Sequence, residues 1–151
     1  MQQNFVFLVF AITVCSSVVY GLQFTDCGSK TGSFTKVVIS DCDTTKNECI
    51  LKRNTTASIT INFALNEIAS KITTVVHGKV LGVEMPFHLQ NPDACVDSGL
   101  KCPLEKGETY EYKATLPVLK AYPKVNVLVK WELQDQNSED IICVQIPAKI
   151  Q

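Results

Sequence analysis

The chain is expected to be all-β, an antiparallel sandwich, and two observations carry that expectation. Two stretches alternate apolar and polar residues with period two, and four further strand candidates lie between loops rich in Asn, Asp, Gly and Pro. Period two sends successive side chains to opposite faces, so each such strand buries one face. Short strands at regular spacing, separated by turn signals, read as a sandwich.

The N-terminal segment stands apart from that pattern. Phe5 to Val19 is almost unbroken in apolar and small residues, follows the polar start Gln2-Gln3-Asn4, and ends in Val19-Tyr20-Gly21, which offers a small residue for cleavage. This is the pattern of a secretory signal peptide over residues 1–21. The run is short for a bilayer-spanning helix and has no flanking basic cluster. Residues 22–151 then form one domain of roughly 130 residues, enough to bury close to two thirds of its unfolded surface. With no second long apolar run, an exported, soluble domain is expected.

Export gives the cysteines their meaning. Cys15 falls in the leader, which leaves Cys27, Cys42, Cys49, Cys95, Cys102 and Cys143. An even set in an exported chain implies disulfides. Six cysteines allow fifteen pairings, and spacing favours Cys42 with Cys49, Cys95 with Cys102, and Cys27 with Cys143 across the ends of the domain. A zinc site would need tighter pairs and more histidines than His77 and His88 supply, so no metal is expected.

The strand candidates follow in order. Phe34–Ile39 is the first. In "SITINFAL", Ile59, Ile61, Phe63 and Leu65 alternate with Ser58, Thr60, Asn62 and Ala64. Ile72–Leu81 and Tyr110–Leu116 come next. In "VNVLVKWEL", Val125, Val127, Val129, Trp131 and Leu133 alternate with Asn126, Leu128, Lys130 and Glu132. Ile141–Ile150 closes the chain. Just before "SITINFAL" lies the single sequon, Asn54-Thr55-Thr56, a candidate glycosylation site; Asn91 is followed by Pro and does not qualify.

Composition and motifs argue against several function classes. Lys plus Arg is 14 and Asp plus Glu is 15, so no basic stripe is available to track nucleic acid. "CGSKTGS" lacks the order of a phosphate loop, and no G-x-S-x-G elbow occurs. With every mature cysteine assigned a disulfide partner, no nucleophile stands out. His77 and His88 have nothing that builds a triad around them, and Glu84, Glu105, Glu108 and Glu111 read as solvated surface. No enzyme activity and no cofactor are expected.

Binding remains. Met85-Pro86-Phe87 places apolar residues just before a polar loop, and "LPVLKAYP" brings Leu116-Pro117-Val118 and Tyr122-Pro123 in the same style. Proline lacks a ladder donor, so both stretches belong at sheet edges or strand ends. From pattern alone they either cap the core or flank an opening. Periodicity does not distinguish a packed interior from a hollow one.

A family resemblance bears on that choice. "FTDCGS", "VVHGKVLGVEMPF", "NPDACVDSGLKCPLEKGETYEY", "LPVLKAYPKV", "VKWELQD" and "CVQIPAKI", in this order across essentially the whole mature chain, resemble the Niemann-Pick type C2 proteins of the MD-2-related lipid-recognition family, most of all an insect member. The resemblance implies an immunoglobulin-like β-sandwich with a lipid cavity between two antiparallel sheets, and it supports the three cysteine pairings. It also implies non-enzymatic transport of cholesterol or other sterols by a monomer in the extracellular space or the endosomal and lysosomal lumen. The implied partners are endolysosomal membranes and a Niemann-Pick C1-type membrane protein. Related insect members imply an alternative cargo of fatty acids, semiochemicals or microbial lipids. An adhesion sandwich without a cavity is the reading from another class.

The resemblance also assigns residues. Phe87, Val118 and Tyr122 match positions at the pocket mouth, with Met85 beside them; Trp131 and Leu51 match lining positions; His77 and Gly78 match a surface implicated in sterol transfer. Two departures stand out. Between Cys95 and Cys102 only Lys101 is basic, where mammalian members place a lysine soon after the first cysteine. Val144 stands where they carry a tryptophan, which implies a reshaped cavity.

Overall fold

Nine strands, and no helix, make up residues 21–151, the part of the chain that this computed structural model describes. The expected leader, apart from Gly21, lies outside the described residues. In chain order the strands are β1 (Thr25–Asp26), β2 (Gly32–Ile39), β3 (Cys49–Leu51), β4 (Thr55–Leu65), β5 (Thr73–Val80), β6 (Val83–Pro86), β7 (Thr109–Val118), β8 (Asn126–Gln134) and β9 (Asp140–Ile150). One sheet runs β1-β9-β8-β5-β6, with β3 also paired to β9, and the other runs β2-β4-β7. All pairings are antiparallel except β3 with β9.

The period-two stretches set the facing surfaces. Ile59, Ile61, Phe63 and Leu65 of β4 and Val127, Val129, Trp131 and Leu133 of β8 are all buried. They meet Tyr112 and Leu116 of β7 and Ile142, Val144 and Ile146 of β9 in one core. Prolines fall where a missing donor costs least. Pro117 lies in β7, an edge strand, and Pro86 ends β6, the opposite edge of the other sheet. Pro147 sits between the β9 residues that pair with β1 and those that pair with β3.

Three strands went unread in the sequence. β1 and β3 have two and three residues, too few for any period to register. The third is hidden in the expected strand Ile72–Leu81. The chain turns at Leu81-Gly82, with φ of 51° and 85°, and returns as β6, where Val83 pairs with Val80. Two central residues at positive φ make a tight hairpin turn normally signalled by Asn-Gly or Asp-Gly. Leucine in the first position disguises it.

Disulfides join Cys27 to Cys143, Cys42 to Cys49 and Cys95 to Cys102. The first spans 116 residues and ties the start of the domain to β9. The second holds β3 against the loop that precedes it.

Candidate functional site: an apolar interior and its mouth

Where the two sheets face each other, their inward side chains leave a cavity of about 30 Å³. Leu51 of β3, Ala57 and Ile59 of β4, Leu116 of β7, and Val129 and Trp131 of β8 line it. Apart from Ser58, this lining is apolar, because the strands turn their inward phase to it. A space of this size holds about one water, whereas pockets for small molecules run to roughly 300–1,000 Å³. A lipid therefore enters only if the sheets part.

Polar atoms collect at one side of this interior. The hydroxyls of Tyr112 and Thr74 lie 2.8 Å apart in a buried hydrogen bond. Burial pushes the Tyr112 phenol up to about 12, against the opposing pull of hydrogen bonds from Thr74 and Trp131. The rings of Tyr112 and Trp131 are 6.3 Å apart. Val144, opposite Trp131 in the β8–β9 register, is fully buried.

A second apolar hollow, about 220 Å³, opens beside the β5–β6 hairpin. Gly78, Met85, Phe87, Tyr122, Pro123 and Val125 line it. Phe87 meets Tyr122 edge-on, with ring centroids 5.4 Å apart. The Phe87 N–H donates to the Val76 carbonyl at 2.9 Å, which fixes its backbone. Arg53 fixes the other side by donating from Nη1 to the carbonyls of Lys120 at 3.0 Å and Tyr122 at 3.3 Å. Val127 belongs to this hollow and Val129, two residues on, to the inner one. The two spaces thus lie end to end along β8.

Gly78 is required by this packing. A Cβ there would come within 2.4 Å of the Phe87 ring, so any larger residue drives the ring off the strand. Gly78→Ala is expected to cost about 1–3 kcal/mol by overpacking, read by denaturant unfolding, and to slow lipid exchange through the displaced ring.

The residues assigned by resemblance therefore divide among several places. Leu51 and Trp131 line the inner cavity, and Met85, Phe87, Tyr122 and Gly78 the outer hollow. Val118 lines neither. It is buried at the end of β7, where its carbonyl accepts from the Asn54 N–H at 2.6 Å. Val80, Val127 and Ile150 join the hollow without having been singled out in the sequence. Period two marks the latter two as inward-facing but does not say which end of the sandwich is open.

His77 turns the other way, onto the outer face of the larger sheet. Its Nδ1 lies 3.5 Å from Glu132 Oε2, and Lys130 Nζ is 3.0 Å from Glu132 Oε1. Glu132 is 4% exposed, so a position that alternation puts on the outer face is buried under its neighbours. Glu132 holds the Lys130 ammonium above its ordinary value. Burial first, and then the charge of Glu132, raise the Asp140 carboxyl above 3.8. A carboxyl raised by folding contributes stability that is complete below its unfolded value and is lost as pH rises through its folded value. Thermal melts of Asp140→Asn and wild type should therefore differ in pH dependence, the wild type losing stability relative to the variant as the solution goes from acid to neutral. Identical profiles would contradict this. Asp140 and Glu132 also approach Cys143, but that sulfur is committed to Cys27, and two carboxylates fall short of the usual four-ligand zinc set.

The sequence and the fold both match known proteins. An ML-domain family model matches residues 21–150. The chain is 69% identical to "NPC intracellular cholesterol transporter 2 homolog a" of Drosophila melanogaster, over 95% of this chain and 99% of that protein. It is 37% identical to "NPC intracellular cholesterol transporter 2" of Bos taurus, over 96% and 95% respectively. The crystal structure of a Niemann-Pick type C2 protein from Japanese carpenter ant superimposes with a TM-score of 0.81 at 37% identity, covering 85% of this chain and 99% of that one. Sandwich and sequence agree: the chain belongs to the Niemann-Pick type C2 family of ML-domain proteins.

Proposed function

We propose that this protein is a non-enzymatic carrier that binds cholesterol or a related sterol between its sheets and transfers it to membranes. The observation that carries this reading is the alignment of an apolar inner cavity with an apolar hollow rimmed by Phe87 and Tyr122. The names of the fly and bovine relatives, both cholesterol transporters, support it. Burying a sterol's roughly 400 Å² of apolar surface yields a gross gain of about 10 kcal/mol at 25 cal/mol per Å², from which association costs subtract a large part. A long fatty acid, at about 0.8 kcal/mol per methylene, reaches a similar figure. Affinity thus comes from burial, and shape selects the lipid.

The hairpin beside the hollow supplies the means of delivery. Leu81 is 99% exposed at its tip, with Val83 and Met85 exposed behind it, while Lys120 and Lys124 flank Tyr122 in the sequence. Apolar side chains beside basic ones suit the surface of an anionic membrane. Leu81→Asp combined with Val83→Asp should slow sterol transfer to anionic vesicles about tenfold or more, since each change removes an inserting apolar side chain, without weakening equilibrium binding. Equal transfer rates would remove the hairpin from the delivery step.

The same reading takes the protein to be exported, to act as a monomer in the extracellular space or endolysosomal lumen, and to hand sterol to a Niemann-Pick C1-type membrane protein, with His77 on the contacting surface. Among the described residues no helix is long and apolar enough to cross a membrane. Asn54, exposed at the turn into β4 with φ of 64°, is the proposed glycan site. Asn54→Gln is expected to abolish the mass shift on deglycosylation of the secreted protein.

A further inference from the structure

Residues 119–124 lie between β7 and β8 and carry Tyr122, one side of the mouth. Inside this loop the Tyr122 N–H donates to the Leu119 carbonyl at 3.1 Å. Among the described residues, every hydrogen bond that ties the loop to the rest of the domain comes from one side chain, Arg53, whose Nη1 donates to the carbonyls of Lys120 and Tyr122. Among the same residues, Lys120 and Lys124 join no ion pair. Arg53 itself is firmly placed. Its backbone N–H donates to the Gln151 carbonyl at 2.8 Å, the Gln151 N–H donates to the Leu51 carbonyl at 3.0 Å, and the Asn54 N–H donates to the Val118 carbonyl. The anchor is thus built into β3, β7 and Gln151, whereas the loop depends on that anchor and on the packing of Tyr122 against Phe87.

This arrangement is a clasp that can open. Among the described residues no carboxylate pairs with Arg53, so the guanidinium can leave the two carbonyls for water without abandoning an opposite charge. The loop carbonyls it leaves belong to an exposed segment and find water as well. A cavity of about 30 Å³ admits a lipid only when the mouth parts, and loops that gate a site often set the rate of exchange. The clasp is made whenever the mouth is closed, over an empty or a filled interior, and is broken while lipid passes. Bonds present at both ends of a passage and absent at its top slow both directions alike, and without differential affinity they leave the equilibrium where it was. We propose, resting on the sterol-carrier reading, that Arg53 is the positioning residue of the mouth. Its hold on the 119–124 loop sets how fast lipid enters and leaves, and burial between the sheets sets how tightly lipid is kept. Lysine replaces it only in part, because an ammonium is a strongly hydrated point charge without the rigid donor fork of a guanidinium.

Trp131 is the chain's one tryptophan and lines the inner cavity, so energy transfer from its indole to dehydroergosterol, a fluorescent sterol, reports occupancy. Equilibrium titration gives Kd for wild type, Arg53→Met and Arg53→Lys. Chasing the loaded proteins with excess cholesterol in cyclodextrin gives koff, with no membrane charge in the comparison. Methionine keeps an aliphatic stem and removes every donor. In Arg53→Met koff should rise about tenfold, the low end for hydrogen bonds to a charged group, while Kd stays within about twofold. In Arg53→Lys koff should rise about threefold, again with Kd held. A domain merely loosened by the substitution would lose affinity in step with the faster release. Unchanged koff in folded Arg53→Met, or a Kd that weakens in step with koff, would overturn the proposal. Should Arg53→Met fail to fold, Arg53→Lys decides on the same two criteria. Failure of the wild type to bind dehydroergosterol would instead overturn the carrier reading, and this inference with it.

Discussion

Replacing Ala57 with tryptophan is expected to reduce sterol affinity by about a hundredfold or more while leaving the protein folded. Ala57 lines the inner cavity from β4 and faces its partner Leu116 of β7 across the smaller sheet. It is half-buried rather than sealed in the core, so a large side chain can be accommodated by the outward movement that ligand entry itself requires. That accommodation occupies the sterol's space. Loss of about a quarter of a gross 10 kcal/mol burial term corresponds to roughly a hundredfold in Kd. The measurement is competitive sterol binding alongside a thermal melt. Full affinity in a folded Ala57→Trp protein would place the ligand elsewhere.

The largest expected effect on stability comes from Cys27→Ser with Cys143→Ser. This bridge closes a loop spanning 116 residues, and in the chain-entropy model a loop of that length contributes about 4–5 kcal/mol. That is a large share of the roughly 5–15 kcal/mol that holds an ordinary domain together. The variant should melt on the order of 15 °C lower. The bridges Cys42–Cys49 and Cys95–Cys102 each close only 7 residues, so removing either should cost less. A melt unchanged by loss of Cys27–Cys143 would mean that β1 and the packing around Cys143 hold the domain's start in place without the bridge.

What the sequence made legible follows from periodicity. β4 and β8 each carry an unbroken apolar phase, and Ile59 through Leu65 and Val127 through Leu133 are buried in that phase. β3 has three residues and no room for a phase, although Cys49 and Leu51 supply cavity wall. β6 has four exposed residues and follows a hairpin whose leucine at positive φ carries no turn signal. At the site, proline marked the two apolar stretches as edges, and the family resemblance named Phe87 and Tyr122. Their edge-on contact depends on Gly78, and only the three-dimensional pairing of β5 with β6 reveals that dependence. Val118 and Glu132 were the hardest to read. One is buried beside the cavity without lining it, and the other is a carboxylate covered by Lys130 and His77 on a face that alternation assigns to solvent. In both cases neighbours on other strands decide the environment, and a single strand's pattern does not contain them.

On the proposed reading, the space between the sheets takes up a sterol. Its most direct test is competition of labelled cholesterol by unlabelled sterols and by oleate on the purified, disulfide-intact protein. Saturable binding of one cholesterol per chain, displaced by other sterols and poorly by oleate, is the expected result. Absence of saturable cholesterol binding, or displacement by oleate well ahead of any sterol, would contradict it.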